Sequence, residues 1–432
     1  MPSGSGTPTT SARAATVRAR ATRPGSSRAP DRPPSALAVR YRATPWWVKV
    51  IVIFAVSRVV TTTIMLDFAA AQAQNAWTSS HPDYFAFASL WDSHWYYIVS
   101  VTGYPSTLPL TDDGHIAENA WAFLPAYPWF VNVMQHLLGL PYAQVSVFVS
   151  GGFALGSALM LYRVLALKLP GETAMFSVVL FCFAPLSPLL QVGYAESMQV
   201  FFLTLALYLL LRRKYWVMVP VIAVLCFTRP SGLALALALG LHIIYRWVVR
   251  ARDPFPVRER VASVTAALFS AIAGFAWVWV AAAATGNPSA YTATELAWRS
   301  AYIGYGDLLP LTPWIQGANW WMAMAKWPVW WGPTLLAIAV VGFAAFMFTP
   351  IVRRLGVDLR FWVASYVLYL LAVFFPQSST FRLLIPVFPL LGAIAQPRSV
   401  LYRIGIVLLF IAGQIGWIYI AWWVDGYDWT PP

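Results

Sequence analysis

The sequence predicts an all-α protein built as a polytopic membrane bundle of about eleven spanning helices, and three observations predict it. Apolar residues make up 59% of the 432-residue chain and charged residues only 10%, where a soluble domain carries about 25% charged residues. Apolar runs long enough to cross a bilayer recur from residue 47 to the C-terminal end. Lysine and arginine gather in alternate connections between those runs, as the positive-inside rule requires.

Taken in order, the first 45 residues hold no such run. They are rich in Ser, Thr, Ala and Pro and carry eight arginines against a single acid, Asp31. That composition predicts a disordered basic cytoplasmic tail over 1–45, held near anionic lipid by its charge. No aromatic is interleaved before Tyr41, so the +13 net charge is a membrane signal and no nucleic-acid partner is expected. The tail also lacks the short apolar core and cleavage site of a signal peptide.

The bundle is expected over 46–432. Its apolar runs lie near 47–66, 143–166, 173–190, 197–211, 215–228, 231–249, 261–284, 332–350, 360–375, 382–396 and 404–423. With the tail inside, 24 of the 29 lysines and arginines fall on the cytoplasmic side; the exceptions are Arg58, Arg229, Arg299, Lys326 and Arg382. The expectation is a multi-pass plasma (inner) membrane protein with a cytoplasmic N-terminus.

Two long extracytoplasmic segments remain, 67–142 and 285–331. Residues 84–100 mix acids and histidine with Phe, Trp and Tyr at roughly helical spacing, and 119–138 include Trp121, Phe123, Leu124, Trp129 and Phe130. Residues 314–331 carry six tryptophans, 314, 320, 321, 327, 330 and 331. Such stretches suit interfacial helices with aromatic faces down, and the tryptophans of 314–331 read as belt residues before sugar stackers. No internal repeat is apparent, which weighs against an inverted-repeat transporter.

Cys182 and Cys226 both fall in apolar runs and read as small core residues. The five histidines are scattered, and no Cys or His cluster has metal-ligand spacing. No metal or other cofactor is expected, a divalent metal being optional.

Charges within or beside apolar runs are costly and tend to be functional. Five stand out: Arg58 in the first run, Asp92 in Trp-Asp-Ser-His-Trp-Tyr, Glu196 after Gly-Tyr-Ala, Arg229 in Thr-Arg-Pro-Ser-Gly, and Arg382 after Ser-Thr-Phe. In the charge-derived topology all but Arg58 converge on the outer face. Each has a structural alternative. Arg58 could be a buried partner of Glu196 or Asp67. Arg229 with Pro230 could end a short helix and cap it. Glu196 could pair with an arginine or cap a helix, and Arg382 could snorkel to headgroups. Asp112 and Asp113 read as a solvated turn. On a helix Asp92 would share a face with Trp95, Tyr96 and Val99, one turn after Ala88 and Ser89. A partly desolvated carboxylate against aromatic rings suits a general base.

These residues resemble a family. Trp91-Asp92-Ser93-His94-Trp95-Tyr96 through Gly103-Tyr104, then Phe123-Leu124-Pro125-Ala126-Tyr127-Pro128, is similar to the first luminal loop of PIG-V-type mannosyltransferases, with Leu124 where Phe is usual. Gly193-Tyr194-Ala195-Glu196-Ser197, Thr228-Arg229-Pro230-Ser231-Gly232 and Ser379-Thr380-Phe381-Arg382 follow in the family's order, over about residues 47–424. The resemblance implies a GT-C-type glycosyltransferase bundle that moves a mannosyl residue from a polyprenyl-phosphate donor to an acceptor hydroxyl, with inversion. It implies Asp92 as general base and Arg382 and Arg229 as ligands of the donor phosphate. Trp91, His94, Trp95, Tyr96, Tyr104, Tyr127, Tyr194 and Glu196 would then bind substrate. The acceptor stays open among glycolipid, glycan and protein. The Ala/Arg-rich tail has the flavour of a high-GC, actinobacterial-like genome. The alternatives are another polyprenyl-linked sugar, or a lipid or solute transporter or flippase, which would favour carboxylates within the spans.

Overall fold

The computed structural model describes Arg40 and residues 43–306, 309–374 and 379–424. The tail expected over 1–45 lies almost wholly outside the described residues, as do Gln377 and Ser378. The chain divides into two units, Met1–Pro45 and Trp46–Pro432; the helices belong to the second. Among the described residues there is no strand, only an isolated bridge between Leu110 and Ile116, so the fold is all-α.

The principal helices are α1 (Trp46–Ala71), α2 (Asp92–Thr102), α3 (Ala126–Leu138), α4 (Tyr142–Ala166), α5 (Gly171–Phe183), α6 (Glu196–Leu211) and α7 (Tyr215–Thr228), followed by α8 (Gly232–Val248), α9 (Val257–Thr285), α10 (Ala290–Ala297), α11 (Thr312–Met324), α12 (Trp331–Met347), α13 (Val357–Val373) and α14 (Val400–Trp417). Among the described residues, four segments are long and apolar enough to cross a membrane: Trp46–Ala71, Tyr142–Ala166, Val257–Thr285 and Val400–Trp422. Others, such as Glu196–Leu211 and Gly232–Val248, are apolar but shorter. The eleven runs therefore mark helical segments without each being a full-length span.

Two runs are interrupted for a stated reason. Proline lacks the N–H a helix needs and its ring clashes one turn back. Pro386 and Pro389 cut the run 382–396 into Thr380–Leu383, a tight turn over Ile385–Leu390, and Leu391–Ile394. Pro185 and Pro188 likewise end α5 early, leaving a 3₁₀ turn over Ser187–Gln191. The carbonyls exposed there explain Arg58. Its guanidinium donates to the Cys182 carbonyl at 2.8 Å and the Ser187 carbonyl at 3.0 Å, serving the C-terminal end of α5. Arg58 thus pairs with neither Glu196 nor Asp67. Cys182 and Cys226 are both buried and free.

The distribution of side chains is that of a membrane bundle. Exposed positions on the long helices are apolar, among them Val52, Val59, Phe148, Leu268, Ile272, Leu401 and Leu408. The helix–helix seams instead bury small and hydroxyl side chains, including Ser57, Thr61, Ser150, Ser157, Ser263 and Ser270. Without a hydrophobic drive between helices in lipid, close approach and interhelical hydrogen bonds hold them together. Thr61 donates to Gln414 at 2.9 Å and Ser270 to the Gly232 carbonyl at 2.8 Å. At that second seam a Cβ on Gly232 would come within 2.9 Å of the Gly274 Cα, so α8 and α9 touch backbone to backbone.

The connections α6–α7 and α8–α9 meet at one end of the bundle, where Arg213 and Arg246 both bind Asp253, Arg246 reaches Glu259 at 3.0 Å, and His242 bridges Tyr215 and Asp358 at 2.8 and 2.7 Å. Hydrogen bonding from Arg213 holds the Asp253 carboxyl below its ordinary range. The opposite end, where α6 begins and α7 stops, carries the candidate site.

Candidate active site

Two helix starts and one helix stop set the charges. Asp92 is the first residue of α2 and Glu196 the first of α6, where the partial positive charge of a helix N-terminus favours an anion. Arg229 follows α7 in extended backbone, a place that favours a cation. Arg382 lies on the short helix Thr380–Leu383, just before the proline break.

These four side chains meet. Arg382 binds Asp92 and Arg229 binds Glu196, while the cross pairs are looser: Arg229 lies 3.9 Å from Asp92 Oδ2, and Arg382 Nε lies 3.4 Å from Glu196 Oε1. The network is neutral overall and largely buried, with Glu196 only 3% exposed and Asp92 17%. Charges this far from water are tolerated because each faces an opposite partner. Two atoms are left over: Arg382 Nε and Glu196 Oε2 are buried and make no hydrogen bond among the described residues. Buried polar atoms ordinarily find partners, so the network is one donor and one acceptor short of full satisfaction beside a cavity of about 180 Å³.

That cavity is lined by Asp92, Glu196, Arg229 and Arg382, together with Gln199, Phe123, Trp298, Tyr302, Tyr366 and Tyr369. Glu295 and Arg299 face it as well, an i,i+4 pair at 3.1 Å. Sequence reasoning missed both, although Arg299 was one of the few cations left off the cytoplasmic side and Glu295 is one turn before it. Two larger cavities lie nearby, one of them sharing part of its wall with this one. The first, of about 580 Å³, is apolar and includes Phe381, Leu384 and Ile385, which flank Arg382 in the chain. The second, of about 570 Å³, shares Pro230, Glu295, Arg299, Tyr369 and Phe374 with the cavity at the ion network.

The remaining sequence-predicted residues surround the site without lining this cavity. Trp91 is buried and its indole donates to the Trp422 carbonyl at 3.0 Å. Its φ of +58° is strained for a bulky residue, at a cost of about 1–3 kcal/mol, and turns the chain so that α2 begins at Asp92. Ala88 and Ser89 therefore belong to the preceding turn rather than to the Asp92 helix. Asp92 makes its contacts with guanidiniums rather than with ring faces. Trp95 stacks on Phe123, with centroids 5.5 Å apart, and meets the edge of Trp298. Tyr96 is buried against Phe123 and Tyr127, and burial pushes its phenol well up. Tyr104 donates to the Phe123 carbonyl at 2.8 Å and Tyr127 bonds Ser150 at 2.9 Å. His94 is half-buried, and burial holds its pKa down. Tyr194 is nearer the ion network: its hydroxyl accepts from the Asp92 backbone N–H at 3.1 Å, and the Arg382 guanidinium lies over its ring at 5.4 Å. Asp112 and Asp113 are exposed in a turn closed by Gly114. Among the described residues no group of three or more His, Cys, Asp or Glu is placed to hold a metal ion.

Gly193 locks the two acidic helix starts together. Its N–H donates to the Ala88 carbonyl at 3.0 Å, and a Cβ there would come within 2.3 Å of Ser93 Oγ and 2.8 Å of Ser146 Oγ. Gly193→Ala is expected to destabilise the protein by about 1–3 kcal/mol and to displace Asp92. Thermal unfolding in detergent reads this directly, and an unchanged Tm would show that rotation of the two serines absorbs the methyl group.

No family model matches the chain, and no curated protein matches it in sequence. Among solved structures it is similar to the Archaeoglobus fulgidus oligosaccharyltransferase tethered with an acceptor peptide, at 11% identity over 86% of this chain and 54% of that one, with a TM-score of 0.42. It is also similar to the archaeal oligosaccharyltransferase AglB from the same organism in complex with an inhibitory peptide and a dolichol-phosphate, at 12% identity over 89% and 56%, with a TM-score of 0.44. The chain spans about half the length of these structures.

Proposed function

We propose that the protein is a membrane glycosyltransferase of the GT-C type, PIG-V-like, that moves a mannosyl residue from a polyprenyl-phosphate donor to an acceptor hydroxyl. One observation carries this reading. Asp92, Arg229 and Arg382, far apart in sequence, face one cavity, and an apolar cavity of about 580 Å³ begins at the residues flanking Arg382. A polyprenyl-phosphate sugar has the matching parts: an apolar chain, an anionic phosphate and a polar sugar.

In this reading the acceptor hydroxyl gives its proton to the Asp92 carboxylate while its oxygen bonds to C1 of the donor sugar. The bond from C1 to the phosphate oxygen breaks, and its electron pair leaves with the polyprenyl phosphate. Arg382 and Arg229 stabilise the charge that grows there. Arg382 divides its guanidinium between Asp92 and that phosphate. Glu196 keeps the two guanidiniums in place. A transporter would favour carboxylates within its spans, whereas the acids here stand at helix starts. The plasma membrane as location, the extracytoplasmic side for the site and a cytoplasmic N-terminus follow from the charge pattern as part of the same proposal.

The test supplies membranes with radiolabelled polyprenyl-phosphate mannose, glucose or a pentose in parallel. Labelled product from the mannose donor alone is expected. Transfer from another donor would replace the sugar assignment, and no transfer from any would sink the glycosyltransferase reading.

A further inference from the structure

Glu295 and Arg299 occupy a position the proposed chemistry has not used. They are the two charged residues that line both the catalytic cavity and the second cavity of about 570 Å³. The pair is rigidly mounted. Asn119 of the first long segment donates to Thr294 Oγ1 at 2.8 Å, pinning α10, and Arg299 donates to the Val373 carbonyl at 2.9 Å while its guanidinium lies over Phe374 at 5.4 Å. Arg299 also binds Glu295, which is itself 21% exposed. The pair is electrically neutral, so this junction offers a carboxylate acceptor for hydroxyls without a spare cation to attract an anion. Beyond it the second cavity is lined by Leu124, Phe275, Trp277, Val278 and Leu296.

The first cavity and the second share no lining residue; the second shares part of its wall with the catalytic cavity, whereas the first lies beside the residues on either side of Arg382. In the donor arrangement proposed above, the phosphate and its chain occupy the Arg382 wall. A displacement with inversion brings the nucleophile from the side away from the leaving group, which leaves the Glu295 wall for the acceptor.

We propose that Glu295, held by Arg299, positions the acceptor, and that the second cavity admits that acceptor as a neutral glycoside carrying an apolar group. Glu295 accepts hydrogen bonds from sugar hydroxyls and presents the reacting one to Asp92, while the apolar group lies along Leu124, Phe275 and Trp277. This rests on the glycosyl-transfer reading for its direction of attack, but its binding site can be measured separately.

The experiment uses the full chain in lipid nanodiscs with hexyl α-mannoside as the probe. Binding is followed by tryptophan fluorescence, to which Trp277 and Trp298 report from the two cavities. Glu295→Gln is expected to weaken glycoside binding by about tenfold or more, the usual effect of losing a charged hydrogen-bond partner, and Glu295→Asp to recover part of it. Ala293→Trp, which fills the second cavity away from the four-residue ion network, is expected to weaken it similarly. Binding of polyprenyl phosphate should not weaken in any of the three, and in transfer assays the loss should fall on acceptor KM and not on donor KM. Glycoside affinity equal to wild type in Glu295→Gln and Ala293→Trp, or no glycoside binding by wild type, overturns the inference whether or not transfer occurs. Intact and variant-sensitive glycoside binding without any transfer would support this site and sink the glycosyltransferase reading instead.

Discussion

Replacing Asp92 by asparagine is expected to lower sugar transfer by about 10²–10⁴-fold, the usual contribution of a positioned general base, in a protein that stays folded. The two halves of this result have separate causes. An amide cannot take up the hydroxyl proton, so the chemical step loses its acceptor. Its carbonyl oxygen can still accept from Arg382, and the α2 backbone remains tied to the Tyr194 hydroxyl, so the scaffold keeps its contacts. Rates measured with saturating donor and acceptor, alongside thermal unfolding, separate the two. Transfer within a few-fold of wild type would remove Asp92 from its assigned role.

Arg382→Ala should act on both donor binding and turnover. Phosphate gains negative charge as its bond to the sugar breaks, so loss of the cation is expected to cost about 10²–10³-fold in kcat and to raise donor KM. The same change strips Asp92 of its closest partner in a buried network, and breaking such a pair costs about 3–5 kcal/mol. A failure to fold would then mimic a failure to bind. Arg382→Lys keeps the charge and separates the cases. It should fold, yet bind donor more weakly than wild type, because an ammonium cannot offer the planar, forked set of donors that a guanidinium divides between Asp92 and a phosphate. Normal donor affinity and kcat in the lysine variant would show that Arg382 supplies charge alone; the same result in a folded alanine variant would end the phosphate assignment.

The four network residues were legible in the sequence because charge is scarce in this chain, and each lies beside an apolar run where water cannot solvate it cheaply. Helix positions were legible for the same reason, since long apolar runs have few other solutions. What the sequence hid was direction. Trp91, Tyr96 and Tyr127 read as cavity-lining aromatics, yet they are buried in the scaffold around the site, and composition cannot tell a ring facing a cavity from one facing a neighbouring helix. Arg58 read as an ion-pair partner because two acids were available, while its actual partners are carbonyls freed by prolines that a charge inventory does not count. Glu295 was hidden by being paired: four residues before an arginine it looks like an ordinary surface pair, and only the cavities on either side make it conspicuous.

The strained residue before Asp92 is tied to a segment distant in sequence. Trp91 bonds to Trp422, the Trp422 indole bonds back to the Phe87 carbonyl at 2.9 Å, and the Gln72 side chain bonds to Val424 through both its amide groups. Partners some 331 residues apart in sequence cannot meet until the segment around Trp422 has been made. Throughout insertion the loop bearing Asp92 lacks its brace, and Asp92 lacks Arg382. A chain truncated before Trp422 is therefore expected to keep its earlier helices but to lose the fixed placement of Asp92, which limited proteolysis of the Trp91 segment would read. The brace on Asp92 is thus a late addition to the fold, made by the segment that carries Trp422.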